Sequence, residues 1–364
     1  MPSLVTFGEI MARIEPPPPY RFAQALPGQI LVSYAGAEAN VAAAYALLGG
    51  QAAFLSALPQ GPVADACVAY LRAVGVDTSR ILRRSAGRMG LFFMESGACQ
   101  RPSAVWYDRA GSTIALLGPG DYDWTALLSG ARRLHISGIT PALSAAAAQA
   151  SLECVRRARA AGLRVSLDLN FRKKLWDWKP GVAPRELARG VMAEILPEVD
   201  LVMGNEEDAE DVLGIRAGAS NVQTGNLDVD RYPEVARQIA ERFANVSMVA
   251  FTLRESISAT HNNWGAMLWT RAGPAAYFAP LRQGRYQPYP ITDIVDRIGS
   301  GDAFAGALLY ALDDAELSRD PATSVAFAAA ASCLCHTIRG DFNFVSRAEA
   351  IALMGGETSG RVKR

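Results

Sequence analysis

Lysine is nearly absent from this sequence. It occurs only as Lys173, Lys174, Lys179 and Lys363, and none of the four follows a glycine. A Walker-type phosphate loop requires the pair Gly-Lys, because the ammonium group of that lysine neutralises the terminal phosphates of a bound nucleotide. The sequence therefore excludes an ATPase of that class.

Cysteine and histidine are also scarce, with five and three residues in a chain of 364. An odd number of scattered cysteines does not make a disulfide framework, which needs dense, paired cysteines. Cys333 and Cys335 lie one residue apart in an apolar stretch, and no zinc-ligand spacing is present. We expect a protein of the reducing cytoplasm without a structural metal.

Long apolar segments and net charge are missing as well. The longest apolar run, 325–335, is interrupted by serine and is too short to cross a bilayer, so a buried helix is expected there. The N-terminus lacks the basic region and apolar core of a signal peptide. Because 36 basic residues balance 36 acidic ones, no field attracts nucleic acid or an anionic membrane. We expect a small molecule as the partner.

Short β-type runs alternate with helical segments through most of the chain. The candidate strands 4–10 and 52–58 enclose a helical segment, 38–48, which ends at a pair of glycines. The unit recurs in the helical segment 144–161 and the strand 164–169. This order predicts an α/β fold with a mostly parallel central sheet and helices on both faces.

Two extended segments interrupt the alternation, and we expect them to form a small β-sheet lid beside the core. An irregular edge of the main sheet is the alternative. The predicted units are the core at 1–10, 35–86 and 110–354, the lid at 11–34 and 87–109, a loop insertion at 214–231 and a disordered tail at 355–364.

A glycine-rich turn leads into a helix of small and apolar residues after Asp296. Gly299 and Gly301 carry no side chain, so backbone N–H groups can approach an anion at the positive end of the helix dipole. Asp302 then suits a base that takes a proton from a hydroxyl group attacking a phosphate. A plain N-cap after a tight turn accounts for the same residue.

The run from Asp296 to Asp302 resembles the DxxGxGD signature of the ribokinase-like (PfkB) carbohydrate kinases. The resemblance implies a ribokinase-like fold, ATP as phosphoryl donor and Mg²⁺ as its metal. It further implies Asp302 as catalytic base, an anion hole at Gly299, Ser300 and Gly301, and a homodimer or higher homo-oligomer. Further segments, in family order, resemble the 2-keto-3-deoxygluconate kinase branch.

Two of these segments concern the sugar. Gly36 and Asn40 lie in a stretch similar to the family's sugar-binding segment; the glycine exposes main chain, and the amide offers a donor and an acceptor. Tyr107 and Arg109 match a tyrosine and an arginine that hold a sugar acid in this branch. The planar guanidinium suits a carboxylate. The resemblance thus implies phosphorylation of the terminal hydroxyl of a sugar acid, 2-keto-3-deoxygluconate above others.

Asn170 and Arg172 follow the candidate strand 164–169, and parallel sheets bind ligands at the edge where their strands end. The resemblance assigns them to the phosphates and the sugar carboxylate. Asp168, on the same strand, is equally well explained as a structural residue that caps the following turn.

The nucleotide side completes the resemblance. Asn205 begins a run similar to the family's NxxE magnesium motif, with Asp208 in place of the glutamate and Glu206 or Glu207 as alternative ligands. Thr252 and Arg254 stand at a strand end where relatives place ATP, and Arg254 replaces a glycine.

Other functions stay open. A fructokinase- or ribokinase-type kinase of a neutral sugar is the first alternative, although Tyr107 and Arg109 favour an acid and residues 11–13 lack the aspartate usual in such kinases. A non-catalytic sugar-binding relative is the second, and the intact run 299–302 argues against it. A nicotinamide-dependent dehydrogenase is excluded, since residues 8–11 form no G-x-G-x-x-G turn.

Overall fold

The computed structural model describes residues 2–215, 229–273 and 275–357, and within them ten strands form one large sheet. Along the sheet these are β13 (Ala275–Ala279), β12 (His261–Thr270), β11 (Met248–Ser258), β10 (Leu201–Gly204), β9 (Arg164–Asp168), β8 (Arg133–Ser137), β1 (Leu4–Phe7), β4 (Ala52–Pro59) and β5 (Ile81–Arg84), with β16 (Tyr289–Ile291) beside β12. Neighbours from β5 to β11 are parallel, whereas β12 is antiparallel to β11, β13 and β16. The mostly parallel sheet expected from the sequence is confirmed.

Helices cover both faces of this sheet and bury two large apolar clusters. One face carries α2 (Ala37–Leu47), α3 (Pro62–Ala73), α10 (Ser300–Asp313), α11 (Pro321–Cys335) and α12 (Arg347–Met354). The other carries α4 (Thr113–Leu116), α5 (Trp124–Leu128), α6 (Ala145–Ala160), α7 (Pro184–Ile195) and α9 (Tyr232–Arg242). The apolar run 325–335 lies in α11, which is buried as its all-round apolar surface requires.

Among the described helices, none combines the length and the apolar character needed to cross a membrane.

A separate four-stranded sheet stands beside the large one. Its order is β3 (Leu31–Ala35), β2 (Met11–Glu15), β6 (Gly90–Glu95) and β7 (Ala104–Asp108), and the short helix α1 (Phe22–Ala25) joins β2 to β3. The expected small sheet is therefore present, while its role as a lid and the division of the chain into units stay predictions. Val32 and Trp106 are exposed on it. Association of subunits also stays a prediction.

Three segments differ from the expectation or lie beyond it. Residues 206–213 do not form one regular helix: a single α-helical turn, α8 (Glu206–Asp208), is followed by a π-helical turn, Ala209–Leu213. An antiparallel region follows β11, including the two-residue strands β14 (Leu281–Arg282) and β15 (Arg285–Tyr286). Most of the predicted loop insertion, 216–228, and most of the predicted tail, 358–364, lie outside the described residues.

Candidate active site

A cleft of about 450 Å³ opens between the small sheet and the edge of the large sheet where its parallel strands end. It is lined by these residues assigned from the sequence: Gly36, Asn40, Tyr107, Arg109, Asn170, Arg172, Asn205, Asp208, Thr252, Arg254, Gly299, Ser300, Gly301 and Asp302. The side chain of Glu206 lies outside the described part of the chain. The fold thus gathers these positions into one cavity, and their individual roles stay predictions.

The glycine turn before α10 has a backbone that requires its sequence. Gly299 has a φ of 79°, and a Cβ atom there would lie 2.6 Å from the carbonyl oxygen of Asp341. A side chain is thus excluded by both conformation and space. Gly299 is the N-cap of α10, so Asp302 lies inside the first helical turn and the N-cap interpretation of Asp302 is wrong.

The carboxylate of Asp302 is held by a side chain from α2. Asn40 Nδ2 donates to Asp302 Oδ2 over 2.7 Å, and Asn40 Oδ1 accepts the backbone N–H of Gly36 at 3.2 Å. Burial raises the pKa of Asp302 well above its ordinary value; the bond from Asn40 opposes this rise, and the charges of Asp168 and Asp341 add to it. A carboxylate with a raised pKa accepts a proton more readily, as a general base must.

Arg109 also lines the cleft and forms a buried ion pair with Glu9, which follows β1. Its guanidinium stands 5.5 Å from the centre of the Tyr107 ring, and Nε has no hydrogen-bond partner among the described residues. Glu9 lines the cleft too. Glu9 was not predicted from the sequence, although a carboxylate just after a parallel strand is a recognisable signal.

Asp208 is tied into the backbone of two loops. Its Oδ1 accepts the N–H of Phe171 at 2.9 Å and its Oδ2 accepts the N–H of Asn205 at 3.3 Å, while Asn205 Oδ1 accepts the N–H of Asp208 at 2.8 Å. The reciprocal pair closes the first turn of α8 as a capping box does. Each carboxylate oxygen keeps a lone pair for a further partner.

The carboxylates at this edge carry negative charge that is not fully compensated. Burial raises the pKa of Asp168 to about 7, with repulsion from Asp208 as the second cause and Arg172 opposing. Burial also raises the pKa of Asp208 to about 6, again against Arg172. A cation beside this pair would relieve the repulsion.

No group of three or more His, Cys, Asp or Glu side chains is arranged to hold a metal ion in the part of the chain that the structure describes. Mg²⁺ bound with a nucleotide needs only one or two carboxylates, because phosphates and water complete its octahedron. Asp168 and Asp208 both line the cleft and repel one another, so this pair fits such an ion.

Three guanidinium groups face the cleft near the glycine turn. Two of them, Arg172 and Arg254, were predicted from the sequence. Arg297 was not, because it occupies an unspecified position of the DxxGxGD signature. Arg297 donates to Ser256 Oγ at 3.2 Å, and burial lowers the pKa of both Arg254 and Arg297. Three guanidinium groups in one part of the cleft suit an anion that carries several negative charges.

Comparison with known proteins agrees with this geometry. Residues 1–345 match the model of the pfkB family carbohydrate kinases. The chain is 33% identical to a 2-dehydro-3-deoxygalactonokinase of Haloferax volcanii, with 98% of each chain covered. It resembles a crystal structure of a 2-dehydro-3-deoxygluconokinase from Thermotoga maritima with a TM-score of 0.87 and 41% identity, covering 98% of this chain and 100% of the other.

A crystal structure of a fructokinase with bound ATP from Xylella fastidiosa is also similar, with a TM-score of 0.72, 26% identity and coverage of 98% and 99%. The fold expected from the sequence is thus confirmed. The family match extends over residues 1–345 and therefore includes the cleft and both sheets. The chain belongs to the pfkB family of carbohydrate kinases.

Proposed function

We propose that the protein transfers the γ-phosphoryl group of ATP to the terminal hydroxyl of a small sugar acid, with 2-keto-3-deoxygluconate as the first candidate and its 6-phosphate as product. The observation that carries this proposal is that one cleft is lined both by Asp302, which is held by Asn40, and by Arg109. Of the three relatives above, the two with the higher identities are named 2-dehydro-3-deoxygalactonokinase and 2-dehydro-3-deoxygluconokinase, which supports a 2-dehydro-3-deoxy sugar acid.

Asp302 acts as the general base. The terminal hydroxyl of the sugar gives its proton to the Asp302 carboxylate while its oxygen bonds to the γ-phosphorus, and the bond from that phosphorus to the β–γ bridging oxygen breaks to release ADP. The hydrogen bond from Asn40 Nδ2 to Asp302 Oδ2 orients the Asp302 carboxylate. The N–H groups of residues 299–301 receive the negative charge that develops on the transferred group.

The nucleotide is held by charge. Arg172, Arg254 and Thr252 bind phosphate oxygens, and Asn170 contacts the same region from the end of β9. Asp168 and Asp208, the latter set by its hydrogen bonds with Asn205, would hold a magnesium ion bound with the nucleotide. When bound, the ion neutralises phosphate charge.

Other residues of the same cleft recognise the sugar acid. Arg109 binds the substrate carboxylate; its Nε has no hydrogen-bond partner among the described residues, and the Tyr107 ring lies beside its guanidinium. The carbonyl oxygen of Gly36 and the Glu9 carboxylate accept hydrogen bonds from hydroxyl groups of the sugar. A kinase of neutral sugars is the second candidate, supported by the similarity to the ATP-bound fructokinase.

An ADP-release assay over a panel of sugars tests the proposal. The panel contains 2-keto-3-deoxygluconate, its C4 epimer 2-keto-3-deoxygalactonate, fructose and ribose. We expect saturable turnover with one or both acids and little with the neutral sugars. Saturation by a neutral sugar alone would replace the acid by the second candidate. Binding of sugar and ATP without any ADP formation would identify a non-catalytic relative.

The raised carboxyl pKa values predict a pH dependence that responds to magnesium. With limiting Mg²⁺, kcat/KM is expected to fall as the pH drops through the pKa values of about 7 for Asp168 and about 6 for Asp208, because the protonated groups cannot bind a cation. Saturating Mg²⁺ favours the charged forms, so the acid limb should move to lower pH. Profiles recorded at two Mg²⁺ concentrations measure the shift.

The variant Asp208→Asn is the control for this pH dependence. It removes one of the two carboxylates, so the magnesium-dependent displacement of the limb should shrink. An acid limb at the same pH in limiting and saturating Mg²⁺ would contradict the assignment of the ion to Asp168 and Asp208.

A further inference from the structure

We propose that Arg13 is the positioning residue of the catalytic turn, a permanently charged group that fixes the shape of residues 299–302 without touching either substrate. This proposal rests on one part of the proposed function, namely that the turn binds the phosphoryl group that is transferred.

Arg13 lies on β2 of the small sheet and is completely buried. Its Nη2 donates to Glu15 at 2.7 Å and to Asp296 at 2.6 Å, and its Nη1 donates to Asp341 at 2.6 Å. A second arginine, Arg339, donates to Glu15 at 2.8 Å from the partly exposed side. Three carboxylates from three chain segments therefore meet one guanidinium.

The charges explain why an arginine is needed. The side chains of Glu15, Asp296 and Asp341 are at most 6% exposed, and buried like charges repel one another strongly unless a cation lies between them. The planar guanidinium carries five N–H donors in a fixed arrangement and reaches all three carboxylates at once. An ammonium group, with one nitrogen, cannot reproduce these directions.

Two of the carboxylates connect Arg13 to the turn. Asp296 Oδ1 accepts the N–H of Ile298 at 3.1 Å, and its Oδ2 accepts the N–H of Gly340 at 3.2 Å, so the approach to the turn is fastened to the neighbouring loop. The carbonyl oxygen of Asp341 packs directly against Gly299. Movement of either carboxylate would shift the backbone that precedes Asp302.

The test compares two buried arginines. Arg13→Lys keeps the charge and loses the geometry. Arg133→Lys is the matched control, because Arg133 is equally buried and pairs with Asp313 at the far end of α10, away from the cleft. A displacement of about 1 Å at a reacting group lowers the rate up to about 100-fold, so kcat of Arg13→Lys should fall about 10- to 100-fold. KM for ATP and sugar acid should change less than about threefold, since binding groups are retained.

Chemical rescue adds a second measurement. Arg13→Ala leaves a space lined by carboxylates, and guanidinium chloride at millimolar concentration should restore part of its kcat, whereas urea should not. Where Arg13→Ala does not fold, Arg13→Lys alone decides. Crystals of Arg13→Lys should show the turn displaced from Asp341.

Three results would overturn the proposal. They are a kcat of Arg13→Lys within about twofold of the wild type, an equal loss of kcat in Arg133→Lys, and an undisplaced turn in crystals of Arg13→Lys. If the wild-type protein phosphorylates none of the sugars, the proposed function fails, and the crystal comparison still decides whether Arg13 shapes the turn.

Discussion

The variant Asp302→Asn is expected to lose about 10²- to 10⁴-fold in kcat, the usual effect of removing a general base. An amide of the same shape accepts the hydrogen bond from Asn40 but cannot take the substrate proton. Steady-state kinetics with ADP detection measure the loss. The variant should also melt no lower than the wild type near neutral pH: the raised pKa means that folding disfavours the charged carboxyl, a cost that sets in as the pH rises and that asparagine avoids.

The matched control for this variant is Asp65→Asn. Asp65 lies in the first turn of α3, is exposed, pairs with Arg83 and does not line the cleft. Its loss should leave kcat unchanged and alter the free energy of unfolding by no more than about 1 kcal/mol, as for other surface ion pairs. A near-normal kcat in Asp302→Asn would remove Asp302 from the role of base, whatever the behaviour of the control.

The parallel half of the fold was predictable because its strands are short, continuously buried runs that alternate with helical segments. Helix α6 and strand β9 appear within one residue of their expected bounds, since a helical stripe and a glycine stop are local signals. The antiparallel strands after β11 were not foreseen. The second half of β11 is only partly buried, and its mixed residues 254–258 indicate neither a core strand nor a turn.

The candidate site also contains features that the sequence could predict and features that it could not. The glycine turn and the polar strand ends are contiguous in sequence, so their chemistry could be inferred from a few neighbouring residues. Arg13 and Asp341 are 328 positions apart, and no local pattern links them. Asp296 was recognised as part of a signature without a role, and the structure supplies its contacts: it joins Ile298 and Gly340 to Arg13.

The variant Arg109→Met is expected to damage both stability and substrate binding. Arg109 and Glu9 form a buried pair, so removing the arginine leaves an uncompensated carboxylate and costs about 3 to 5 kcal/mol in the free energy of unfolding. Loss of a charge-assisted hydrogen bond to the substrate should lower kcat/KM for the sugar acid about 10- to 100-fold, mainly through KM. Denaturant unfolding and kinetics on 2-keto-3-deoxygluconate measure the two effects.

The double variant Glu9→Gln/Arg109→Met separates these two effects. Removing both charges eliminates the buried, unpaired carboxylate, so much of the lost free energy of unfolding should return. Recognition of the acid should stay poor, because the Arg109 guanidinium is no longer there to receive the substrate carboxylate. If the double variant instead recovers the wild-type KM for the sugar acid, Arg109 acts only as the partner of Glu9, and the carboxylate of the substrate must be held elsewhere, with Arg172 as the remaining candidate.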